Sequence, residues 1–307
     1  YGEFWLKPTY SNQLGLPIFN YMKKNIDTLV DDIYSLFDLN TENNIDEKDL
    51  DKHLNSFTEG VAETIKILLK EKHNSKRSLR LSAIGKPDRQ LWYDNNLEVK
   101  KTTLSPSLRI KFFYGHLLEE VLILFSRLAG HKVTGQQKEI DIEGVKGHQD
   151  CFIDDVLVDC KSASGKSFLK FKENRLSTDD PFGYIPQISA YAEGNGVDEA
   201  AFLAIDKQNG EICLTKVHSV EMINAKDRVK HLKNVMRDGK PPVKCYSDVA
   251  DGMSGNRKLA IGCVYCSHKR KCWEDANGGQ GLRVFKYANH NRFLTQVART
   301  PDVQEIT

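Results

Sequence analysis

The chain has 307 residues, of which 40% are hydrophobic and 28% charged, and its formal net charge is +2. These proportions are typical of a soluble globular protein with one large domain, or with a core and an appendage. No apolar run approaches the ~20 residues of a membrane span, and the first residues lack the basic-then-apolar pattern of a secretion signal, so we expect no membrane association and a cytoplasmic location.

The N-terminal part of the chain is predicted to be helical. Two amphipathic patterns cover residues 18–37 and 46–71. We divide the chain into an N-terminal helical region (1–78), an α/β core (79–240) and a cysteine-rich C-terminal segment (241–307) packed on that core.

The first core element that carries chemistry is a helix predicted over residues 112–128. Apolar residues surround it almost completely, which predicts a buried helix. Glu119 lies among these apolar residues and therefore needs a partner, which is either a metal ion or, alternatively, Arg109 or a backbone group. His116 and Glu120 interrupt the same run and are alternatives to Glu119 as the acting side chain.

A β-hairpin follows. Residues 152–161 predict the end of one strand, a turn at Asp154 and Asp155, and a second strand. Because side chains alternate along a strand, Asp159 and Lys161 share one face. If Asp150, which closes the preceding turn, lies on the neighbouring strand, then two carboxylates and one ammonium converge at one edge of a sheet.

Such a set suits phosphodiester hydrolysis. Carboxylates hold Mg²⁺ or Mn²⁺, which polarises a phosphodiester and lowers the pKa of a bound water. A lysine beside them can orient that water or offset developing charge. The alternative is that the acids are ordinary turn residues and that Lys161 is a solvated charge.

A second predicted helix follows Pro186. On it Gln187 and Tyr191 are four residues apart and share a face. Their hydrogen-bonding groups suit a phosphate or a base.

Four motifs thus follow one another, namely Gly115 with Glu119, Gly147 with Asp150, Asp159-Cys160-Lys161, and Gln187 with Tyr191. In this order the sequence resembles the RecB-like branch of the PD-(D/E)XK nuclease superfamily over roughly residues 80–290. Many members have histidine at the position of Glu119, whereas lambda-type exonucleases have glutamate. The resemblance implies a restriction-endonuclease-like α/β fold with a mixed central sheet flanked by helices. It also implies metal-dependent DNA cleavage, with Glu119, Asp150 and Asp159 as Mg²⁺ or Mn²⁺ ligands and Lys161 as the catalytic lysine.

All seven cysteines lie in the second half of the chain. The odd count favours a reducing compartment over a disulfide framework. Cys151, Cys160 and Cys213 lie in apolar stretches and are predicted to be core residues. Cys263, Cys266 and Cys272 have C-x2-C-x5-C spacing, with Cys245 available as a fourth thiolate, and this cluster predicts a structural metal.

The identity of that metal is open. Iron–sulfur nucleases among the RecB-like enzymes, including the AddB and CRISPR-associated groups, have the same C-terminal spacing. They take their remaining cysteine from a segment that residues 81–93 resemble, but this chain has Asp88 there and no cysteine before Cys151. Cys245 would then complete either a Zn²⁺ site or a [4Fe–4S] cluster, which would fix a glycine-rich segment to the core.

Basic residues flank these motifs and predict a track for the phosphate backbone. We assign DNA contacts to Arg89, Lys166, Lys170, Lys172 and Arg175. The aromatic residues interleaved with them are candidates for base stacking, and the alternative is that they belong to the core; they are Phe168, Phe171, Phe182 and Tyr184.

The sequence therefore predicts a Mg²⁺- or Mn²⁺-dependent, phage-like DNA exonuclease of recombination, replication or repair, in which Gln187 and Tyr191 orient the strand. DNA, single-stranded or with a free end, is the expected partner, and a recombination or single-strand-binding protein is a further one. A structure-specific endonuclease and a catalytically silent DNA-binding module of the same fold are the alternatives.

Overall fold

A computed structural model describes residues 24–40, 45–70, 78–97 and 106–306. The α-helices of these ranges are α1 (Leu29–Ser35), α2 (Glu47–Lys70), α3 (Asp88–Asn96), α4 (Pro106–Leu128), α5 (Lys166–Lys172), α6 (Tyr184–Asn195), α7 (Ala225–Arg237), α8 (Ile261–Val264), α9 (Lys269–Cys272) and α10 (Ala276–Gly279). The strands are β1 (Val133–Thr134), β2 (Glu139–Ile142), β3 (Val145–His148), β4 (Cys151–Ile153), β5 (Val156–Ala163), β6 (Glu199–Asp206), β7 (Ile212–His218), β8 (Val249–Ala250), β9 (Arg257–Lys258), β10 (Arg283–Lys286), β11 (Asn291–Gln296) and β12 (Glu305–Ile306). Short 3₁₀ turns cover Ile26–Thr28, Leu81–Ala83 and Ser219–Glu221.

The central sheet has five strands in the order β1-β4-β5-β6-β7. The β5–β6 pair is parallel and the other pairs are antiparallel. Strands β5 and β6, which form the parallel pair, are buried on both faces. This burial explains why their sequences are mostly apolar. The prediction of an α/β protein with a mixed central sheet is therefore confirmed.

The predicted hairpin is present as β4 and β5. Asp154 and Asp155 form its two-residue turn, with φ angles of 49° and 69°. Positive φ at both central residues matches the right-handed twist of the strands, and aspartate tolerates it better than most residues. This turn sets the register in which Cys151 lies opposite Val158, and so fixes which face Asp159 occupies.

Helices cover both faces of the sheet. On one face, Val158 and Cys160 pack in a cluster with α1 and the second half of α4. On the other face, Leu157 and Ala163 pack in a cluster with α5, α6 and α7. Asp159 and Lys161 belong to this second face, where α6 lies.

Helix α4 differs from its prediction in one respect. Its buried residues are Leu122, Ile123, Leu124 and Ser126, all in the second half, whereas Ile110, Phe112 and Tyr114 are about half exposed. The prediction that the whole helix is buried is therefore wrong, because only its second half packs on the sheet. Its first half packs beside α2 instead.

The N-terminal prediction is met within the described residues. The second amphipathic pattern is α2, within one residue of its predicted bounds. The first is shorter than predicted, a 3₁₀ turn followed by α1, and its residues 18–23 lie outside the described part. The buried ring of His131 contacts Asp154 at 2.6 Å and Asp32 at 3.1 Å. Because Asp32 lies on α1 and Asp154 in the hairpin turn, these contacts fix α1 to that turn.

The C-terminal segment forms a second five-stranded sheet in the order β12-β10-β11-β9-β8. It has its own apolar cluster around Leu259, Trp273 and Leu282. The sequence analysis predicted a metal-stapled segment here and did not predict this sheet. Its strands are only two to six residues long, and such short strands are difficult to recognise in a sequence. In the part of the chain that the structure describes, no helix is long and apolar enough to cross a membrane.

Candidate active site

Asp159 and Lys161 form an ion pair on the face of β5 that α6 covers. Asp159 is only 1% exposed, and its Oδ2 atom contacts Lys161 Nζ. Among the described residues, Oδ2 has no hydrogen-bond partner of regular geometry. A buried carboxylate oxygen in this state retains capacity for a further ligand.

Asp150 follows β3 and lies directly beside β5. Its Oδ2 atom accepts a hydrogen bond of 2.7 Å from the backbone N–H of Cys160, the residue between Asp159 and Lys161. The structure therefore brings Asp150 to the neighbouring strand, as the sequence analysis required for convergence. The carboxylates of Asp150 and Asp159 and the ammonium of Lys161 thus lie beside the same segment of β5, residues 159–161.

Helix α6 contributes the next layer. Gln187 Nε2 donates to Asp159 Oδ1 at 3.2 Å, and its Oε1 atom accepts from Lys161 Nζ at 3.5 Å. Tyr191 lies one turn later on the same helix, and its ring is buried. The ring centroid of Tyr184 is 5.0 Å from Lys161 Nζ. One helix face thus holds both members of the β5 ion pair in place.

Helix α4 places Glu119 near this centre. A Cβ built on Gly115 would lie 3.9 Å from Ser162 Oγ, so α4 approaches β5 on the face that also carries Val158 and Cys160. Glu119 is close enough that its charge raises the pKa of both Asp150 and Asp159. Its Oε1 atom accepts from Gln137 Nε2 at 2.7 Å, not from Arg109.

The alternatives to Glu119 face other neighbours. The Glu120 carboxylate packs against α2, where a Cβ built on Gly60 would lie 2.7 Å from its Oε2 atom, and it accepts from Gln136 Nε2 at 3.2 Å. His116 Nδ1 lies 3.8 Å from Glu119 Oε2, and the Glu119 carboxylate raises the pKa of the imidazole. Arg109 donates to the backbone oxygen of Leu68.

The charges of the centre compete for protons. Burial raises the pKa of Asp150 well above its usual range, and the charges of Asp159 and Glu119 raise it further. Burial also raises the pKa of Asp159, although Lys161 opposes that effect. Burial alone would lower the pKa of Lys161, but the two aspartates outweigh it and the net shift is upward. Lys161 is therefore a cation at neutral pH and the acids have an unmet demand for positive charge.

The carboxylates of Asp150, Asp159 and Glu119 are suitable ligands for a divalent ion, but in this structure each of them is bonded to a protein group. Across residues 24–40, 45–70, 78–97 and 106–306, no three His, Cys, Asp or Glu side chains are close enough together to hold a metal ion. Asp150 is bonded to a backbone N–H, Asp159 to Lys161 and Gln187, and Glu119 to Gln137. Side-chain rotations are thus required for a common ligand set.

Replacing Asp150 by asparagine should stabilise the metal-free protein. Asparagine keeps an oxygen for the Cys160 N–H and removes a negative charge whose pKa is raised by burial and by Asp159. A raised pKa in the folded state means that this group's contribution to stability falls as pH rises, so the gain should be larger at pH 8 than at pH 5. We expect Tm to rise by about 2–4 °C at pH 8 in EDTA, the effect of ~1 kcal/mol. If the Tm of Asp150→Asn at pH 8 is equal to or lower than that of the wild type, repulsion between the buried carboxylates does not destabilise the metal-free protein.

Gly147 has a packing role next to the centre. A Cβ built on it would lie 2.8 Å from Leu81 Cβ, 3.0 Å from Tyr191 Cε1 and 3.1 Å from Tyr191 Oη. Any side chain at residue 147 would push Tyr191 away. The glycine of the Gly-x-x-Asp motif is therefore required here because there is no room for a side chain at residue 147.

Gly147→Ala should accordingly lower stability by about 1–3 kcal/mol, the usual cost of overpacking. Gly239→Ala is the matched control, because a Cβ built on Gly239 meets nothing within 4 Å. Urea unfolding of both variants measures the difference. Equal midpoints for the two variants would contradict the close approach of Tyr191 to residue 147.

A second cluster of polar side chains lies at the C-terminal segment. Cys245, Cys263, Cys266 and Cys272 line one cavity together with Arg89, on the N-terminal side of α3. All four are free thiols. Although they do not converge on a point that could hold a single ion, they share one enclosed space.

Three of these four sulfurs have an N–H group directed at them. Arg89 Nε donates to Cys272 at 3.1 Å, and backbone N–H groups of residues 89 and 90 are directed at Cys245. The His268 N–H is directed at Cys266. Burial raises the pKa of Cys263 to about 11, and the buried Trp273 N–H has no regular hydrogen bond within the described residues. Burial also raises the pKa of Cys245 and Cys266, and the N–H groups oppose that rise and so favour the thiolate, which is the form that binds metals.

The predicted DNA-contacting residues have varied surroundings. The Arg89 guanidinium is committed to the cysteine cavity, where it also bonds Tyr93 and the Pro242 backbone oxygen, so its assignment to DNA is corrected. Lys170, Lys172 and Arg175 form ion pairs with Asp179, Glu211 and Glu173, respectively. Lys166 is exposed.

The four predicted stacking aromatics also separate. Phe168 and Phe171 are buried in the core, which corrects their assignment to base stacking. Tyr184 is partly buried beside Lys161 and Phe182 is exposed.

Sequence reasoning missed Gln137 and Trp273. Gln137 has a φ of 54° and bonds Glu119, whereas Trp273 lies against Cys263. Neither has a local signal, because each acts on a residue reached only through the fold.

Comparisons with known proteins give structural likenesses only. No protein-family model and no curated protein matches the chain. Among solved structures, a protein named SSO0001 is similar at 14% identity and a TM-score of 0.38, covering 69% of this chain and 93% of its own. An alkaline exonuclease from Laribacter hongkongensis is similar at 15% identity and a TM-score of 0.30, covering 50% of this chain and 91% of its own. A phage-related exonuclease from Haemophilus somnus is similar at 14% identity and a TM-score of 0.33, covering 53% of this chain and 93% of its own. At these identities and TM-scores the likenesses do not establish a function for the chain.

Proposed function

We propose that the chain is a metal-dependent deoxyribonuclease of the PD-(D/E)XK type that acts as an exonuclease. The observation that carries this proposal is the buried Asp159–Lys161 pair with Asp150 beside it on the neighbouring strand and Glu119 on the helix across it. A buried surplus of negative charge that retains one lysine is costly for stability and suits a site that binds a cation.

Glu119, Asp150 and Asp159 would hold Mg²⁺ or Mn²⁺, which polarises a phosphodiester and lowers the pKa of a water molecule. The fit rests on the acid donor set and on the Asp159 Oδ2 atom that lacks a regular hydrogen bond. A cavity of about 620 Å³ between α2 and α4 has Glu119 in its wall, together with His116 and Glu120.

The protein's own groups have separate tasks. Lys161 keeps its proton at neutral pH because Asp159 and Asp150 raise its pKa, so it supplies a fixed positive charge to a phosphate. Gln187 bonds both Asp159 and Lys161 and holds their relative orientation. Tyr191 remains a neutral hydrogen-bonding group, since burial raises its pKa to about 12.

We also propose that the four cysteines hold a [4Fe–4S] cluster. The N–H groups directed at Cys245, Cys266 and Cys272 support thiolate ligands. Zn²⁺ held by the same four thiolates is the alternative. The role of the cluster would be to fix the C-terminal sheet to α3 through Cys245.

The exonuclease proposal is tested with three DNA substrates. Linear single-stranded, linear double-stranded and closed circular DNA are incubated with the protein in Mg²⁺ or Mn²⁺. Exonuclease action degrades the linear forms and leaves circles intact. Cut circles would favour the endonuclease alternative, and binding without cleavage in either metal would favour a silent DNA-binding module.

A further inference from the structure

We infer that Phe182 is a stacking platform for an unpaired base next to the scissile phosphate, and that the substrate is therefore a single strand or a frayed end. This inference deepens the proposed nuclease function and rests on it. Its starting point is the contrast between Phe182 and the other phenylalanines of residues 166–184. Phe168 and Phe171 are buried, whereas Phe182 is 58% exposed.

The exposed ring is held on a fixed loop. The Asp180 carboxylate accepts hydrogen bonds from the backbone N–H groups of Gly183 and Ile185, at 2.9 and 2.8 Å. The Gly183 backbone also lies directly against Gly85, where a built Cβ would come within 2.4 Å of the Gly183 Cα. The residue after Phe182 is therefore anchored on two sides, and the ring is presented in a defined position.

That position is next to the active site. The ring centroids of Phe182 and Tyr184 are 5.5 Å apart, with the planes inclined by 30°. The Tyr184 centroid lies 5.0 Å from Lys161 Nζ, and Tyr184 packs on the buried Phe171 at 5.6 Å. One anchored ring thus separates Phe182 from the lysine that would contact the phosphate. A strand whose phosphate lies at Lys161 brings a flanking base to the exposed ring.

The chemistry of this surface selects the substrate class. An aromatic face stacks with any base and has little sequence preference. Bases in an intact duplex are already covered by their neighbours, so a ring fixed at this position favours an unpaired base. Lys166, exposed at the start of α5 in the same segment, provides a positive charge for the backbone.

Binding of oligonucleotides tests this inference without cleavage. Single-stranded oligonucleotides that carry 2-aminopurine at one position each are titrated with protein in EDTA. We expect one position whose fluorescence is quenched by the wild type and by Phe182→Trp but not by Phe182→Ala. Phe182→Ala should also weaken binding of the unlabelled strand by about 5- to 100-fold.

Phe37→Ala is the matched control. Phe37 is also 58% exposed, but its ring packs edge-on against Phe125 of α4 and has no contact with the Phe182–Tyr184 pair. This variant should bind like the wild type. Equal losses in the two variants would mean that the Phe182 effect is not local and would overturn the inference.

A cleavage assay separates this inference from the proposed function. With an active wild type, an abasic nucleotide beside the cut phosphate should raise KM in the wild type and leave KM of Phe182→Ala unchanged. Wild-type cleavage that is indifferent both to the abasic site and to Phe182→Ala would overturn the stacking role alone. Absence of cleavage in any metal, together with Phe182-dependent quenching, would remove the nuclease function and keep the stacking surface.

Discussion

Asp159→Asn is expected to reduce DNA cleavage by at least ~10²–10³-fold while the protein stays folded. Asparagine keeps the shape of the side chain and an oxygen for Gln187, but it removes the charge that would hold a metal ion and that pairs with Lys161. Initial rates on a labelled single strand measure the loss, and circular dichroism shows whether the fold is kept. A folded variant with wild-type rates would remove Asp159 from the site.

The companion variant Lys161→Ala should lose cleavage to a similar extent. It should also lower stability, because Asp150 and Asp159 would then be buried without a positive partner, a loss of about 3–5 kcal/mol. Lys230→Ala is its control, since Lys230 is a surface lysine paired with Glu143 on the side of α7. If Lys161→Ala is too unstable to assay, Lys161→Arg keeps a positive charge beside Asp159 and tests whether cleavage requires the lysine ammonium itself.

The second large effect is expected at the cysteines. Cys266→Ser should abolish iron binding and lower Tm by about 10 °C or more, because metal binding and folding are linked in such sites. Protein purified without oxygen is compared by metal analysis and thermal unfolding. Cys213→Ser is the control, since Cys213 lies on β7 and its pKa is raised to about 11 by burial, which keeps it a neutral thiol.

The outcomes at this site are distinct. Iron at about four atoms per chain supports the cluster, and zinc at one atom per chain would replace it by a zinc site. Protein that carries neither metal and has the same Tm as Cys266→Ser would contradict a metal-binding role for the four cysteines.

The parts of the fold that the sequence predicted are those with local signals. The alternation of residues 156–161 and the two turn aspartates specify the hairpin without help from the rest of the chain, and so they place Asp159 and Lys161 on one face. The i, i+4 spacing of Gln187 and Tyr191 likewise holds within a single helix, since both lie on α6.

The parts that the sequence did not predict depend on distant contacts. Arg89 looked like a DNA contact because its partner Cys272 is 183 residues away. The first half of α4 looked buried because its composition is apolar, and composition does not say what covers a helix. The C-terminal sheet was missed because three of its five strands, β8, β9 and β12, have only two residues each. A period-2 pattern cannot be detected in strands of that length.

The choice between Glu119 and Glu120 shows the same limit at the site. The two residues are neighbours in an apolar run, and either fits the spacing of the helix. Only the crossing of α4 over β5 and the packing of Glu120 on Gly60 separate them. Glu119→Gln should therefore impair cleavage more than Glu120→Gln under the same conditions.

The central claim is that the acids beside Lys161 hold a divalent cation and cleave DNA, and the most direct measurement is nucleotide release from DNA by the wild type and by Asp159→Asn. Both proteins are assayed in EDTA, Mg²⁺ and Mn²⁺ after treatment that removes bound metal. The account predicts release by the wild type only when Mg²⁺ or Mn²⁺ is present, and none above background by Asp159→Asn in any condition. Release in EDTA, or equal release by the two proteins, would contradict it.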